Sequence, residues 1–169
     1  FEWVRPSRAP EEDLVRVHSR EHMERIKGSK DLWEMASLAA GAAILAAELG
    51  CRGEPAFGLI RPPGHHASPD SCWGFCYFNN MAVALDHLKR AGLINTAYVL
   101  DFDLHFGDGN VNILQDKGYV TILNPSDRSQ KLYAATFQLL TRPDGKQQWF
   151  LVSLVTHGSG FMTKRQGWD

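Results

Sequence analysis

Residues 96–109 read TAYVLDFDLHFGDG, a short apolar run that leads directly into three aspartates and one histidine. The run Thr96–Leu100 has the length and composition of a strand that is buried on both faces. Alternate residues of an extended chain face the same side. We therefore expect Asp101, Asp103 and His105 to share one side, with the two apolar residues between them packed on the other.

This polar cluster predicts a metal site. Burying Asp101, Asp103 and Asp108 together is costly unless a cation or hydrogen-bonded histidines compensate their charge. A divalent metal is the simplest compensation, and Asp103 and His105 are the predicted ligands. Mixed oxygen and nitrogen donors favour Zn²⁺, Fe²⁺, Co²⁺ or Mn²⁺ over Ca²⁺ or Mg²⁺. The alternative is a capped turn that carries surface aspartates.

A second polar cluster lies upstream, in the loop RPPGHHA at residues 61–67. The ordinary histidine pKa lies near neutrality, so His65 and His66 in a proline-stiffened loop suit proton transfer. Asp101 and Asp108 are predicted to accept one ring N–H each, which would set the tautomer and raise the basicity of the imidazoles. The alternative is a pair of exposed loop histidines or a structural hydrogen bond.

The remaining periodicity predicts an α/β fold, a three-layer αβα domain over residues 1–169 with a mainly parallel sheet. In such sheets, ligand-binding loops follow the carboxyl ends of the strands. Helices are predicted at 11–25, at 32–49 with Gly50 as the stop, and at 78–91, 111–115 and 131–140. Further strands are predicted at 56–60, 119–123 and 149–155.

Composition narrows the classes of function. The chain is 44% hydrophobic and 22% charged, as in soluble globular proteins, and its net charge of −1 offers no field for nucleic acid or an anionic membrane. Residues 36–49 are the most apolar stretch and are expected to be too short to cross a bilayer. Three cysteines without paired C-x-x-C motifs indicate a reducing compartment, so a cytoplasmic location is predicted.

The segment WGFCYFNN at residues 73–80 joins the histidine loop to a predicted helix. Its aromatic residues Phe75 and Tyr77 could line a substrate channel or belong to the core. Asn79 or Asn80 is expected to cap or begin the helix.

Together, the strings RPPGHHA, WGFCYFNN and DFDLHFGDG resemble the histone deacetylase and acetylpolyamine amidohydrolase family of the arginase-like fold. The resemblance covers residues 11–125 best, and it implies hydrolysis of an acetylated amine at a zinc site (or Fe²⁺, Co²⁺ or Mn²⁺). It implies the following roles: metal ligands Asp103 and His105, acid–base histidines His65 and His66, their partners Asp101 and Asp108, and substrate-tunnel residues Gly74 and Phe75.

The sequence also departs from the family pattern. His157 stands where the family's third metal ligand, an aspartate, is expected, which would leave an Asp-His-His site. The oxyanion-binding tyrosine and an N-terminal strand and helix are expected to be missing, so the chain is predicted to be truncated at both ends and weak or inactive. Exposed sheet edges then predict a homo-oligomer. The alternatives are a non-catalytic binding module of the same fold and, less favoured by the His-His loop, an arginase-like manganese hydrolase.

Overall fold

The computed structural model describes the backbone of residues 2–123 and 135–154, and the side chains of residues 2–123 and 141–147. Five helices and four strands lie in this part of the chain. In chain order they are α1 (Glu11–Val17), α2 (Arg20–Lys27), α3 (Lys30–Arg52), α4 (Asn80–Arg90), β1 (Thr96–Asp101), α5 (Asp108–Leu114), β2 (Val120–Leu123), β3 (Ala135–Thr141) and β4 (Gln147–Leu154).

Helices α3 and α4 form the helical part of the core. Three alanines of α3, Ala40, Ala43 and Ala47, are fully buried, and their small side chains let the two helix backbones approach closely. The predicted stop at Gly50 is wrong. Gly50 is buried within α3, and the helix ends one turn later at Gly53, whose φ of 92° is a left-handed conformation that glycine adopts without strain.

Helix α3 is longer than the apolar stretch that the sequence predicted. By length and hydropathy alone it could cross a membrane, a test that the core helix of a soluble protein also passes. Half of its most apolar window is buried inside the fold, where it packs against α4. The apolar stretch 36–49 is therefore the middle of a longer helix of 23 residues.

The sheet has the order β2-β1-β3-β4. The pair β1–β2 is parallel, as predicted, whereas β3 lies antiparallel to both β1 and β4. In this part of the chain the sheet is thus mixed, because β3 and β4 form a hairpin whose connecting turn contains Gly145 at a φ of 79°. Strand β1 lies at the centre of the fold, and its residues Ala97 and Val99 are buried in the same cluster as α3 and α4.

Two predicted elements are wrong. Residues 135–140, predicted as the end of a helix, belong to β3, where backbone pairing with two neighbouring strands overrides the helical spacing of apolar residues. Residues 56–60, predicted as a strand, form a single bridge at Phe57. Phe57 and Leu59 are 53% and 69% exposed, so this run is not buried as a central strand would be.

Candidate active site

Asp101 is the last residue of β1 and is completely buried. It accepts hydrogen bonds from three N–H donors. Its Oδ2 lies 3.1 Å from His65 Nδ1 and 3.0 Å from Asn110 Nδ2, and its Oδ1 accepts from the backbone N–H of Asp103 at 3.1 Å. The carboxylate thereby ties the histidine loop to the end of the central strand, although His65 is 36 positions away in the sequence.

His66 has a carboxylate partner of its own. Its Nδ1 lies 2.6 Å from Asp108 Oδ1, and Asp108 Oδ2 accepts a 2.8 Å hydrogen bond from Trp73 Nε1. The His66 ring is 3.9 Å from the His65 ring and 3.7 Å from the Trp73 ring, centroid to centroid. The structure therefore brings both predicted histidine–aspartate pairs together in one cluster.

Asp103 and His105 lie beside these pairs. Asp103 is buried, and its Oδ1 accepts from the backbone N–H of His105 at 2.8 Å and lies 3.3 Å from His105 Nδ1. Asp103 Oδ2 is 3.8 Å from Nε2 of His65. The expected alternation does not continue through this segment, because β1 ends at Asp101. Leu104 is 44% exposed instead of packed.

The carboxylates and the burial act on the two imidazoles in opposite ways. Burial lowers the pKa of His65, but the hydrogen bond to Asp101 and the charges of Asp101, Asp103 and Asp108 outweigh it, so the net pKa is raised. Burial and the neighbouring charge of His65 lower the pKa of His66 despite its bond to Asp108. Within the pair, His65 thus holds a proton more firmly than His66.

Two asparagines that the sequence analysis gave no part in the site hold its loops in place. Asn110 donates from its backbone to the His65 carbonyl at 3.0 Å and from its side chain to Asp101. Asn79 Nδ2 donates to Asn110 Oδ1 at 3.0 Å, while Asn79 Oδ1 caps α4 by accepting from Ala82 N–H, which confirms the predicted helix cap. The feature of the sequence that could have pointed to Asn110 is its position two residues after Asp108, at the start of a helix.

Gly74 and Phe75 both have left-handed backbone conformations, at φ values of 60° and 63°. A Cβ on Gly74 would lie 2.5 Å from Cδ2 of His66, so the glycine allows the loop to approach the imidazole closely. Phe75 is 70% exposed. The structure therefore places Gly74 against a predicted catalytic residue and leaves Phe75 on the surface; their substrate-binding role stays a prediction.

The third predicted ligand, His157, lies outside the described residues. Within the described part of the chain, no group of three His, Cys, Asp or Glu side chains forms a complete metal site. Cys51, Cys72 and Cys76 are unbridged thiols, and burial raises the pKa of Cys76 to about 12. Cys76 is therefore protonated and unreactive at neutral pH.

Comparison with known proteins gives the class to which this site belongs. Residues 1–152 match the family model described as the histone deacetylase domain, so the chain belongs to that family. The fold agrees: the crystal structure of the HDA15 HD domain superposes with a TM-score of 0.66 at 28% identity, over 70% of this chain and 38% of that one. Both the predicted family and the α/β arginase-deacetylase fold are confirmed.

Three curated relatives show how broad the family is. A probable deacetylase of Methanothermobacter thermautotrophicus is 38% identical over 71% of this chain and 42% of its own length. A histone deacetylase-like amidohydrolase of Pseudomonas aeruginosa is 40% identical over 60% of this chain and 31% of its own length. The acetylpolyamine amidohydrolase of Mycoplana ramosa is 42% identical over 54% of this chain and 27% of its own length. The chain thus spans less than half the length of these relatives.

Proposed function

We propose that this chain carries the metal-binding and proton-transfer part of a hydrolase that removes acetyl groups from acetylated amines, such as acetyl-lysine or an acetylpolyamine. The observation that carries the proposal is the convergence of two carboxylate-bound histidines on the Asp103–His105 pair. Amide hydrolysis needs both an electrophilic centre and groups that move protons. Asp103 and His105 would hold a metal ion as the first, and the two imidazoles would serve as the second.

The donor atoms fit a zinc-like ion. Asp103 Oδ1 and His105 Nδ1 are 3.3 Å apart. Two ligands at about 2.0–2.1 Å from a tetrahedral ion lie about 3.3 Å from each other, so the spacing of these two atoms is compatible with one ion bound by both. His157 is the proposed third ligand. Bound there, Zn²⁺ or Co²⁺ would polarise the amide carbonyl and acidify a water molecule.

The chain's own residues would supply the proton transfers. The carboxylates of Asp101 and Asp108 each accept a hydrogen bond from Nδ1 of one imidazole. The proton is then held on Nδ1, and Nε2 is left as the basic nitrogen of the ring. Nε2 of His65 lies on the side of Asp103, next to the proposed metal ligands. An imidazole held in this way can take a proton from water and return it to the departing amine.

The test is hydrolysis of a fluorogenic acetyl-lysine substrate and of an acetylpolyamine by the purified chain, with and without added Zn²⁺ or Co²⁺. We expect metal-dependent turnover that Asp103→Asn abolishes. Binding of Co²⁺, followed by its visible absorption spectrum, should be lost in the same variant, because a carboxylate ligand is replaced by a neutral amide.

A matched control is Asp116→Asn, at an exposed aspartate outside the site. It should leave turnover and the Co²⁺ spectrum unchanged. If Co²⁺ binds at Asp103 but no acetylated amine is hydrolysed, the proposed hydrolase activity is wrong and the chain is a metal-binding module. If Co²⁺ does not bind at all, the proposed metal site is wrong as well.

A further inference from the structure

Trp73 contacts both members of the His66–Asp108 pair. Its Nε1–H donates to Asp108 Oδ2 at 2.8 Å, and its ring stacks on the His66 imidazole at a centroid distance of 3.7 Å and an interplanar angle of 28°. Trp73 is nevertheless 53% exposed. Core packing alone therefore does not account for a tryptophan at this position.

The hydrogen bond from Trp73 gives the second carboxylate oxygen of Asp108 a donor. Each carboxylate oxygen has one ring N–H donor, His66 on Oδ1 and Trp73 on Oδ2. The side chain of Asp108 is 36% exposed, so without the indole it would be open to water on the Oδ2 side and could turn away from His66. Burial raises the pKa of Asp108, but the bonds from Trp73 and then His66 outweigh it and lower the pKa, so the carboxylate stays charged.

The stacking restricts His66 itself. Gly74 follows Trp73 and lies close to the imidazole. A Cβ on Gly74 would lie 2.5 Å from His66 Cδ2, so a glycine at this position allows the loop to hold Trp73 over the ring. The stacked indole and the hydrogen bond through Nδ1 together restrict the rotation and the tilt of the imidazole. The direction of Nε2 is then set by Trp73 and Asp108 together.

We propose that Trp73 is a positioning residue for proton transfer by His66: its N–H orients the Asp108 carboxylate and its ring holds the imidazole plane. This inference rests on the proposed hydrolase function for its consequence in catalysis. It predicts an effect on kcat, since the orientation of a proton carrier matters in the reaction step more than in substrate binding.

The kinetic test compares Trp73→Phe, which keeps a stacking ring but removes the N–H, with Trp73→Leu, which removes both. We expect kcat to fall about 10-fold in the first variant and further in the second, with KM changed less than about twofold. Trp33→Phe is the matched control, because Trp33 packs on Phe78 away from the site and should leave kcat unchanged. A change confined to KM would make Trp73 a substrate contact and overturn the positioning role.

A second test does not depend on turnover. The chain has five tryptophans, so ¹⁵N labelling of the indoles gives five N–H signals, and Trp73→Phe identifies the one that belongs to Trp73. That signal should move upfield in Asp108→Ala and stay in place in Asp144→Ala, a change in the β3–β4 turn. If it is unmoved in Asp108→Ala, the Trp73 inference is wrong. Lack of turnover in the unaltered chain would instead overturn only the proposed hydrolase function.

Discussion

Two buried histidine pairs lie within residues 2–123, and they differ in what their ring nitrogens contact. His65 and His66 each present Nδ1 to a carboxylate. His18 and His22, at α1 and α2, stack with centroids 5.0 Å apart and contact backbone groups and the Arg25 side chain instead. The two pairs have similar burial, so the contrast lies in their partners.

The partners of the second pair use all of its ring nitrogens. His18 donates from Nδ1 to the Ser68 carbonyl at 2.9 Å and accepts at Nε2 from the backbone N–H of Asn79 at 2.9 Å. His22 donates from Nε2 to the Tyr77 carbonyl at 2.7 Å and accepts at Nδ1 from Arg25 at 3.1 Å. In each imidazole, therefore, one ring nitrogen donates a hydrogen bond and the other accepts one.

This difference assigns different work to the two pairs. The His18–His22 pair links the N-terminal helices to both ends of the loop that joins the histidine motif to α4, so it holds the site's loop in position. The His65–His66 pair is bound through one nitrogen of each ring to an anion, which suits a proton carrier. Burial is common to both pairs, so only the hydrogen-bond partners distinguish the proposed proton carriers from the pair that holds the loop.

The largest expected effect is on catalysis. His66→Ala should lower kcat of the proposed hydrolysis by roughly 10²- to 10⁴-fold, the usual contribution of a positioned acid–base group, with a smaller fall in melting temperature than His18→Ala causes. His18→Ala should instead act mainly on stability. Its melting temperature should fall more, and its kcat less, than those of His66→Ala. Parallel activity and thermal-unfolding measurements check this, and equal loss of stability in both variants would remove the distinction between the pairs.

The next effect is on stability in acid. Burial and the neighbouring charge of His22 lower the pKa of His18 from its ordinary 6.5 to about 4. The unfolded chain then binds the proton more tightly than the folded one. The free energy of unfolding should be fully retained above pH 6.5 and fall by roughly 3 kcal/mol as the pH decreases to about 4.

Urea unfolding at a series of pH values measures this loss. His18→Gln has no titrating ring, so it should flatten the dependence between pH 6.5 and about 4, even if it is less stable at neutral pH. If the variant and the unaltered chain lose stability equally over that range, His18 is not the group responsible.

A smaller effect is expected at the glycine beside His66. Gly74→Ala would combine a left-handed conformation with a Cβ placed against the imidazole, and it should destabilise the fold by about 1–3 kcal/mol. Gly118→Ala is the control, since a Cβ there meets nothing within 4 Å. Chemical denaturation of the two variants should separate them; equal stability would contradict the close contact of Gly74 with His66.

The smallest effect is expected at Arg25, whose side chain is 49% exposed beside the His18–His22 pair. Arg25→Ala removes the donor to His22 Nδ1, where water can take its place, and should cost less than about 1 kcal/mol of unfolding free energy. Thermal unfolding provides the measurement. A loss as large as that of His18→Ala would show that the pair acts as one unit that depends on Arg25.

Much of this arrangement could be predicted locally. The helix at α3, the strand β1 and the cap at Asn79 each depend on apolar spacing or on a short side-chain contact, and each was predicted. The helix predicted over residues 135–140 was wrong, because strand pairing between distant segments decided the conformation there. The role of Asn110 in holding the site was missed for the same reason, because its side chain contacts residues of other segments, Asn79 and Asp101.

The sequence by itself determined the kinds of chemistry that are available: two histidines in a stiff loop, and carboxylates with a histidine at the end of an apolar strand. Those choices follow from residue type and spacing, which are local properties. Only the tertiary structure decided that His65 is bound by Asp101, that His66 lies between Asp108 and Trp73, and that His18 and His22 hold the loop. Hydrogen bonds between segments depend on how strands and helices pack, and packing is a property of the whole chain.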